Sequence, residues 1–572
     1  MRLQVSTSKN AASFYMVKSV TLKGRRTNEV VEKLGTYEEL KSKLNGQDPY
    51  VWAKEYVKEQ TRLEKEGREP EVIARYSPTR LLEKDKQQSF HGGYLFLQRI
   101  YHELGLSQVC KEIKQKHKFE YNLDAILSRM LYGRILYPCS KLSTCELSKK
   151  LIEQPEFELQ HIYRALGVIA EETDLIQSRL YQNSLKLSKR NTGILYYDCT
   201  NYFFEIEQEE GLKQYGYSKE HRPNPIVQMG LFMDGDGIPL AFSITKGNTN
   251  EQVTLKPLEE KILSDFSLSK FAVCTDAGLA SNANRKFNDK GDRAFITTQP
   301  IKKLKAFLRE WAIDPTGWRL GDDGKNYDLR NLDESFFKEK VFYKERWVKE
   351  NGLEQKLIVT YSIKYRNYQR NIRDNQIERA IKALDQNPKK LKKPRPNDYK
   401  RFIETTNCTP DGEVAEKQVH TLNAGLIESE AAFDGFYAVC TNLDEDAVEI
   451  AKINQRRWEI EECFRIMKSE FKARPVYLKR DDRIIAHFTT CFMALVLYRL
   501  LEKRLGEKFT CGEILRELKG MNFKQQKGDG YVPTYTRTNF TDALHEAFGF
   551  RTDYEIVTTK QMKNIFKTTK CR

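Results

Sequence analysis

The 572-residue chain carries 96 Lys and Arg against 80 Asp and Glu, a formal charge of +16, with 40% hydrophobic and 11% aromatic residues. That composition excludes a long disordered protein and is too large for one small core, so two to four domains are expected. The basic excess calls for a polyanionic partner, and the longest apolar run, Cys491–Leu501, is too short to span a bilayer and holds Arg499, which favours nucleic acid over a membrane.

Met1 to Val20 shows no continuous apolar stretch, so no signal peptide is expected. Alternation around Phe14–Leu22 predicts a strand in residues 1–85, followed by a basic turn at Lys23-Gly24-Arg25-Arg26 and a polar helical stretch from Tyr37 to Arg68. Residues 86–190 read as helices, with Leu95, Ile100 and Leu104, then Leu123, Ile126, Leu127 and Met130, at helical spacing. These two regions are the expected place for DNA recognition. Eleven cysteines lie scattered from Cys110 to Cys571 without a CxxC pair or zinc spacing, which fits reduced thiols in a cytoplasm.

From residue 191 the pattern turns to strands. Gly193–Cys199, Ile226–Met233 and Ile238–Thr245 are three apolar runs, the last two joined by Asp234-Gly235-Asp236-Gly237, a hairpin turn. A helix from about Glu251 to Ser264, a strand Lys270–Asp276, a short helix capped by Ser281 and a strand Arg293–Thr298 complete the order β-β-β-α-β-α-β. Three antiparallel strands followed by right-handed crossovers make a mixed α/β sheet, the element order of RNase H-like domains. Residues 301–444 read as a β-rich insertion, with a strand at Phe436–Thr441 and an exposed basic run at Lys389–Arg395. Asp446–Lys472 is one long amphipathic helix that returns to the core (445–510), and 511–572 is a small C-terminal region, a candidate for dimer contacts.

Asp198 lies inside the first apolar run and Asp276 ends the fourth strand, so strand neighbours about 4.8 Å apart bring two acids to one spot. A carboxylate in such a run is costly unless paired or metal-bound. The long helix offers Glu459, Glu461 and Glu462. At about 100° per residue from Arg457, Glu461 and Lys468 share a polar ridge beside an apolar stripe of Ile460, Phe464, Met467 and Phe471. Glu459 and Glu462 fall on the solvent side, which singles out Glu461.

Arg457-x3-Glu461-x6-Lys468 resembles the third motif of bacterial insertion-sequence transposases of the DDE type, Tyr-x2-Arg-x3-Glu-x6-Lys. Asp198-Cys199-Thr200 and Thr275-Asp276-Ala277-Gly278 with Ser281 resemble the first and second, and Gly216-Tyr217-Ser218-Lys219, Gly237-x-Pro239-Leu240 and Gly247-Asn248 resemble further blocks. The motif tyrosine position holds Asn454. The resemblance implies a catalytic triad of Asp198, Asp276 and Glu461 holding two Mg2+ ions, with Mn2+ as a substitute, roughly 3.5–4 Å apart. Asp198 would bridge the two ions. It further implies an enzyme that cuts and joins double-stranded DNA at the inverted repeats of its own element, inserts it into target DNA, and works as a homodimer in a bacterial cytoplasm, at the nucleoid.

Lys219, His221 and Arg222 lie between the first two strands, near the acids; Lys219 and Arg222 are candidate phosphate contacts, and the family role of Arg457 and Lys468 is to grip DNA at the cut. Trp311, Trp318 and Trp347 offer aromatic surface in the insertion, where related transposases stack a flipped base. Two other readings remain open at this stage: an RNase H-like nuclease that does not join, and a domesticated DNA-binding protein.

Overall fold

The computed structural model describes residues 1–8, 11–22, 25–44, 46–66, 72, 77–321, 323–386, 398–408, 414–526 and 530–571. The chain forms two units, Met1–Glu83 and Lys84–Arg572. In the first, β1 (Arg2–Ser8), β2 (Ala11–Leu22) and β3 (Arg25–Thr36) make an antiparallel meander. Helices α1 (Tyr37–Lys43) and α2 (Pro49–Glu66) follow, and Phe14, Leu40 and Ala53 form their small core. The turn entered through Lys23-Gly24 lies partly outside the described residues.

The second unit opens with β4 (Ser89–His91) and six helices: α3 (Tyr94–Glu103), α4 (Leu106–Lys116), α5 (Leu123–Leu136), α6 (Lys141–Ser148), α7 (Leu159–Glu171) and α8 (Thr173–Ser184). Then come β5 (Ile194–Phe203), β6 (Ile226–Asp234), β7 (Pro239–Lys246), α9 (Leu255–Asp265), β8 (Ala272–Thr275), α10 (Asn282–Phe287) and β9 (Ala294–Thr298). This is the expected order. Ser281 caps α10 by accepting from Asn284 N, and the β6–β7 turn is closed by Asp234 Oδ1, which accepts from the amides of Asp236 and Ile238, with Gly237 at φ +78°.

Helices α11 (Ala306–Ile313) and α12 (Glu334–Phe337) precede the hairpin β10 (Val341–Glu350) and β11 (Leu353–Ser362). Helix α13 (Ile363–Gln386), the pair β12 (Ile403–Cys408) and β13 (Val414–Leu422), α14 (Ala424–Ala431) and β14 (Phe436–Thr441) follow. The remainder is α15 (Ala447–Gln455), α16 (Trp458–Arg465), α17 (Asp481–Arg504), α18 (Cys511–Gly520), β15 (Asn522–Gln526), β16 (Gly530–Pro533), α19 (Asn539–Phe548), β17 (Val557–Thr558) and α20 (Thr559–Lys570).

One eight-stranded sheet organises the unit, in the order β10-β11-β14-β9-β8-β5-β6-β7. Strands β5, β8 and β9 are mutually parallel and the other pairs antiparallel, so the sheet is mixed, with helices on both faces. Three of the strands in 301–444 do not build a lobe of their own: β14 pairs with β9, and the β10–β11 hairpin continues the same sheet. Leu357, Ile358 and Val359 are all buried, a run that needs cover on both faces and so belongs in a sheet interior. The boundaries expected at 190, 300, 444 and 510 are therefore changes of element within one unit.

Helix α17 is apolar and long enough to cross a membrane by composition, yet it packs against α5, α7 and β7 as the central core helix. The C-terminal region returns to the start of the unit: β15 pairs with β4, and α20 lies on α3.

The helix expected over Asp446–Lys472 is not continuous. Asp446 caps α15 through the amides of Val448 and Glu449. The ladder then tightens, with Glu459 N bonded to Arg456 O and Ile460 N to Arg457 O, and later widens to a π turn at Ile466–Glu470, where Phe471 N reaches Ile466 O. A uniform angle per residue does not survive that overwinding and unwinding.

Candidate active site at the strand ends

Register fixes the first two acids. Tyr196 on β5 stands opposite Cys274 on β8 in a parallel pair, so Asp198 and Asp276 follow two residues beyond on the same face. Cys274 in turn stands opposite Ile296 of β9, which carries Thr298 to the next place along the row. That face lies under the helices: Tyr196 OH donates to Ile453 O of α15 at 2.9 Å, and Tyr202 OH reaches Met467 Sδ at 3.8 Å.

Asp198 is partly buried, and its Oδ1 accepts from Cys199 N at 2.7 Å. Burial pushes its carboxyl up to about 6, the Asp276 charge adding to the rise while Lys219 and Arg457 oppose it. Asp276 Oδ1 accepts from Leu279 N at 3.0 Å. The Asp276 carboxylate is thus close enough to raise the proton affinity of Asp198, a repulsion that a cation between them would relieve.

Above them the helices place two cations. Arg457 Nη1 donates to Thr298 Oγ1 at 3.2 Å, and Lys468 Nζ donates to Thr200 Oγ1 at 2.5 Å. Burial and the neighbouring Lys219 pull the Lys468 ammonium down to about 8, partly offset by Asp198. Lys219 Nζ donates to Cys199 O and pairs with Glu251 at 3.0 Å; burial lowers its proton affinity, but Glu251 and Asp198 outweigh that and hold it above the usual lysine value.

Glu461 sits between the two helix anchors, one turn past Arg457, and is exposed, lining a cavity of about 590 Å³ with Tyr437, Asn454, Arg457 and Trp458. Among the described residues no three acidic, His or Cys side chains stand at metal-holding distance, so Glu461 does not close onto the aspartate pair. The face expected for the glutamates is also corrected. Glu459, placed in solvent by uniform helix geometry, is 7% exposed, held by Arg456 at 2.8 Å and facing Arg499 at 3.6 Å. The buried stripe of α16 is Glu459, Ile460, Cys463 and Phe464, shifted away from Glu461 because the helix tightens at its start.

Arg222 is exposed and lies over the Phe203 ring at 4.4 Å, and His221, at φ +56°, rests edge-on against Tyr217. Trp318 is fully buried core, whereas Trp347 is 44% exposed and Trp311 lies under Lys344 and Arg346. The Lys389–Arg395 run lies outside the described residues. Sequence reasoning passed over Thr298, Tyr437 and Glu251. Only the parallel register of β8 and β9 puts Thr298 in the acid row, and nothing in a linear reading pairs β14 with β9.

A family model described as Transposase DDE domain matches residues 203–497, just over half of the chain, taking in Asp276 and Glu461 and beginning after Asp198. A search of curated proteins finds no match. A solved structure described as the cryo-EM structure of piggyBac transposase synaptic complex with hairpin DNA aligns over 83% of this chain and 84% of that chain, at 9% identity and a TM-score of 0.35.

Proposed function

The chain belongs to the DDE transposase family, and we propose that it binds the terminal inverted repeats of its own mobile element, cuts them and transfers the strands to target DNA from an RNase H-like core. Asp198, Asp276 and Glu461 are the acids assigned to this chemistry. The observation that carries the reading is the register-fixed convergence of Asp198 and Asp276 beneath the helix that bears Arg457, Glu461 and Lys468.

A divalent cation fits the donor set. Both aspartates present hard oxygens, each spends one oxygen on a backbone amide, and no side-chain donor among the described residues takes the other. Asp198 and Asp276 would hold Mg2+ or Mn2+, with Glu461 as the third ligand. When bound, such ions neutralise the carboxylates and polarise the scissile phosphate. The chain's own residues do the rest. Lys468, Arg457 and Lys219 set a positive rim around the acids, which draws in the DNA backbone and orients it across the strand ends. Thr298 and Thr200 hold the two helix cations over the row. Glu461, exposed on the same helix between Arg457 and Lys468, would complete the ligand set. A homodimer would bring two element ends together.

The test uses labelled duplexes made from the DNA flanking the gene, incubated with protein and Mg2+. Cleavage at the element boundary and joined products on a target plasmid are expected. Cutting without joining would identify a nuclease, and binding without cutting a domesticated DNA-binding protein; either overturns the reading.

A further inference from the structure

Four polar groups form a relay at the edge of the site. Asn454, 4% exposed, donates from Nδ2 to the Tyr437 hydroxyl at 2.9 Å and accepts from the Cys274 thiol, which fixes which end of the amide is which. The Tyr437 and Thr298 hydroxyls are 2.7 Å apart, and Arg457 donates to Thr298.

Counting protons leaves one over. Each hydroxyl owns one proton and two lone pairs. Asn454 supplies one bond to Tyr437 and Arg457 one to Thr298, so the hydroxyl–hydroxyl bond uses a single proton of the two. The surplus proton belongs to Thr298 if Tyr437 donates, and to Tyr437 if Thr298 donates. Tyr437 lines the 590 Å³ cavity beside Glu461, and Thr298 does not. An acceptor in the cavity therefore orders the relay in one direction, from Arg457 through Thr298 to Tyr437 and outward. The Arg457 charge at the head of the relay makes the Thr298 hydroxyl a better donor, which strengthens that direction.

We propose that Tyr437 is a DNA-binding residue: its hydroxyl, pinned by Asn454 and Thr298, donates to a non-bridging phosphate oxygen lodged in the cavity it shares with Arg457, Trp458 and Glu461. The inference rests on the DNA-cutting reading above. An anionic oxygen suits this position because the cavity already carries Arg457 and Lys364 on its walls. The side chain is neutral, so it contributes a hydrogen bond and releases no counterion.

Affinity of a short fluorescein-labelled duplex with 3′-hydroxyl ends, measured in EDTA over a salt series, tests this. Tyr437→Phe keeps the ring and should weaken binding about tenfold while leaving the slope of log Kd against log salt unchanged. Thr298→Val, which loses the relay bond and the Arg457 anchor, should weaken it about threefold, and should cost less in the Tyr437→Phe background than in the wild type, since the relay bond is then already gone. With single methylphosphonates walked along the duplex, one position should cost the wild type more affinity than it costs Tyr437→Phe, which keeps Arg457 and Lys364 on that charge. Wild-type binding by Tyr437→Phe, a changed salt slope, or the absence of such a position overturns the proposal while leaving the DNA reading intact. Failure of the wild-type chain to bind any duplex overturns both.

Discussion

The aspartate pair and the glutamate helix are held by different kinds of structure. Asp198 and Asp276 owe their places to backbone pairing between β5 and β8, which sets side-chain positions without help from any particular neighbour. Glu461 stands on α16, whose pitch changes at both ends and which is seated by the buried side chains of Ile460, Cys463 and Phe464 and by polar contacts of Arg457 with Thr298, Lys468 with Thr200 and Glu459 with Arg499. The acid pair is thus placed by backbone register, whereas the glutamate is placed by side-chain packing and by polar contacts at the rim of the acid row.

The comparison can be broken most forcefully at the acids. Asp198→Ala or Asp276→Ala should cut end cleavage by about 10³-fold or more with DNA affinity and thermal midpoint unchanged, measured on a labelled element end. Glu461→Ala should match that loss. Glu459→Ala should do something else: it removes the partner of Arg456 and one of the carboxylates facing Arg499, which keeps Glu502 and the Gly237 carbonyl, and should cost about 1–3 kcal/mol in denaturant unfolding. If Glu459→Ala folds normally and is dead while Glu461→Ala still cuts, the two glutamates have been assigned the wrong way round.

A smaller effect tests the anchors. The Lys468 ammonium is charged below about pH 8 and loses its charge as pH rises through that value, so the phosphate contact proposed for it would be present on the acid side and fade on the alkaline side. Duplex affinity should fall between pH 7 and pH 9 in the wild type, and the fall should vanish in Lys468→Met, which should also lower the salt slope by roughly one. The smallest change is expected at Arg222→Ala. Its exposed guanidinium rests on Phe203, away from the row, and its loss should trim the salt slope with little effect on cleavage.

The division between the two halves also explains what could be read from the sequence. The strand order of β5 to β9 was legible because apolar runs, the Asp234–Gly237 turn and the Ser281 cap are local signals, and the two aspartates came with it. The path of 301–444 was not, since the pairing of Val439 with Thr298 joins residues far apart in the chain and leaves no local mark. Glu461 was selected by a straight-helix count that the chain does not follow. The motif spacing Arg457-x3-Glu461-x6-Lys468 still locates the segment between the two anchors, because spacing along the chain is insensitive to pitch. Asn454, at the motif tyrosine position, stands one hydrogen bond from a tyrosine supplied by β14.

The pairing of β15 with β4 ties Asn522–Lys524 to Ser89–His91, and Arg99 of α3 reaches the carbonyl of Cys571. During synthesis the early helices must therefore wait, partly uncovered, for more than four hundred residues of chain before their last neighbours arrive. A ribosome that stops before Asn522 releases a chain with every motif residue present and an unclosed core, which should aggregate rather than cut. Cleavage by this chain should therefore require translation past Asn522, the point at which the core of the unit closes.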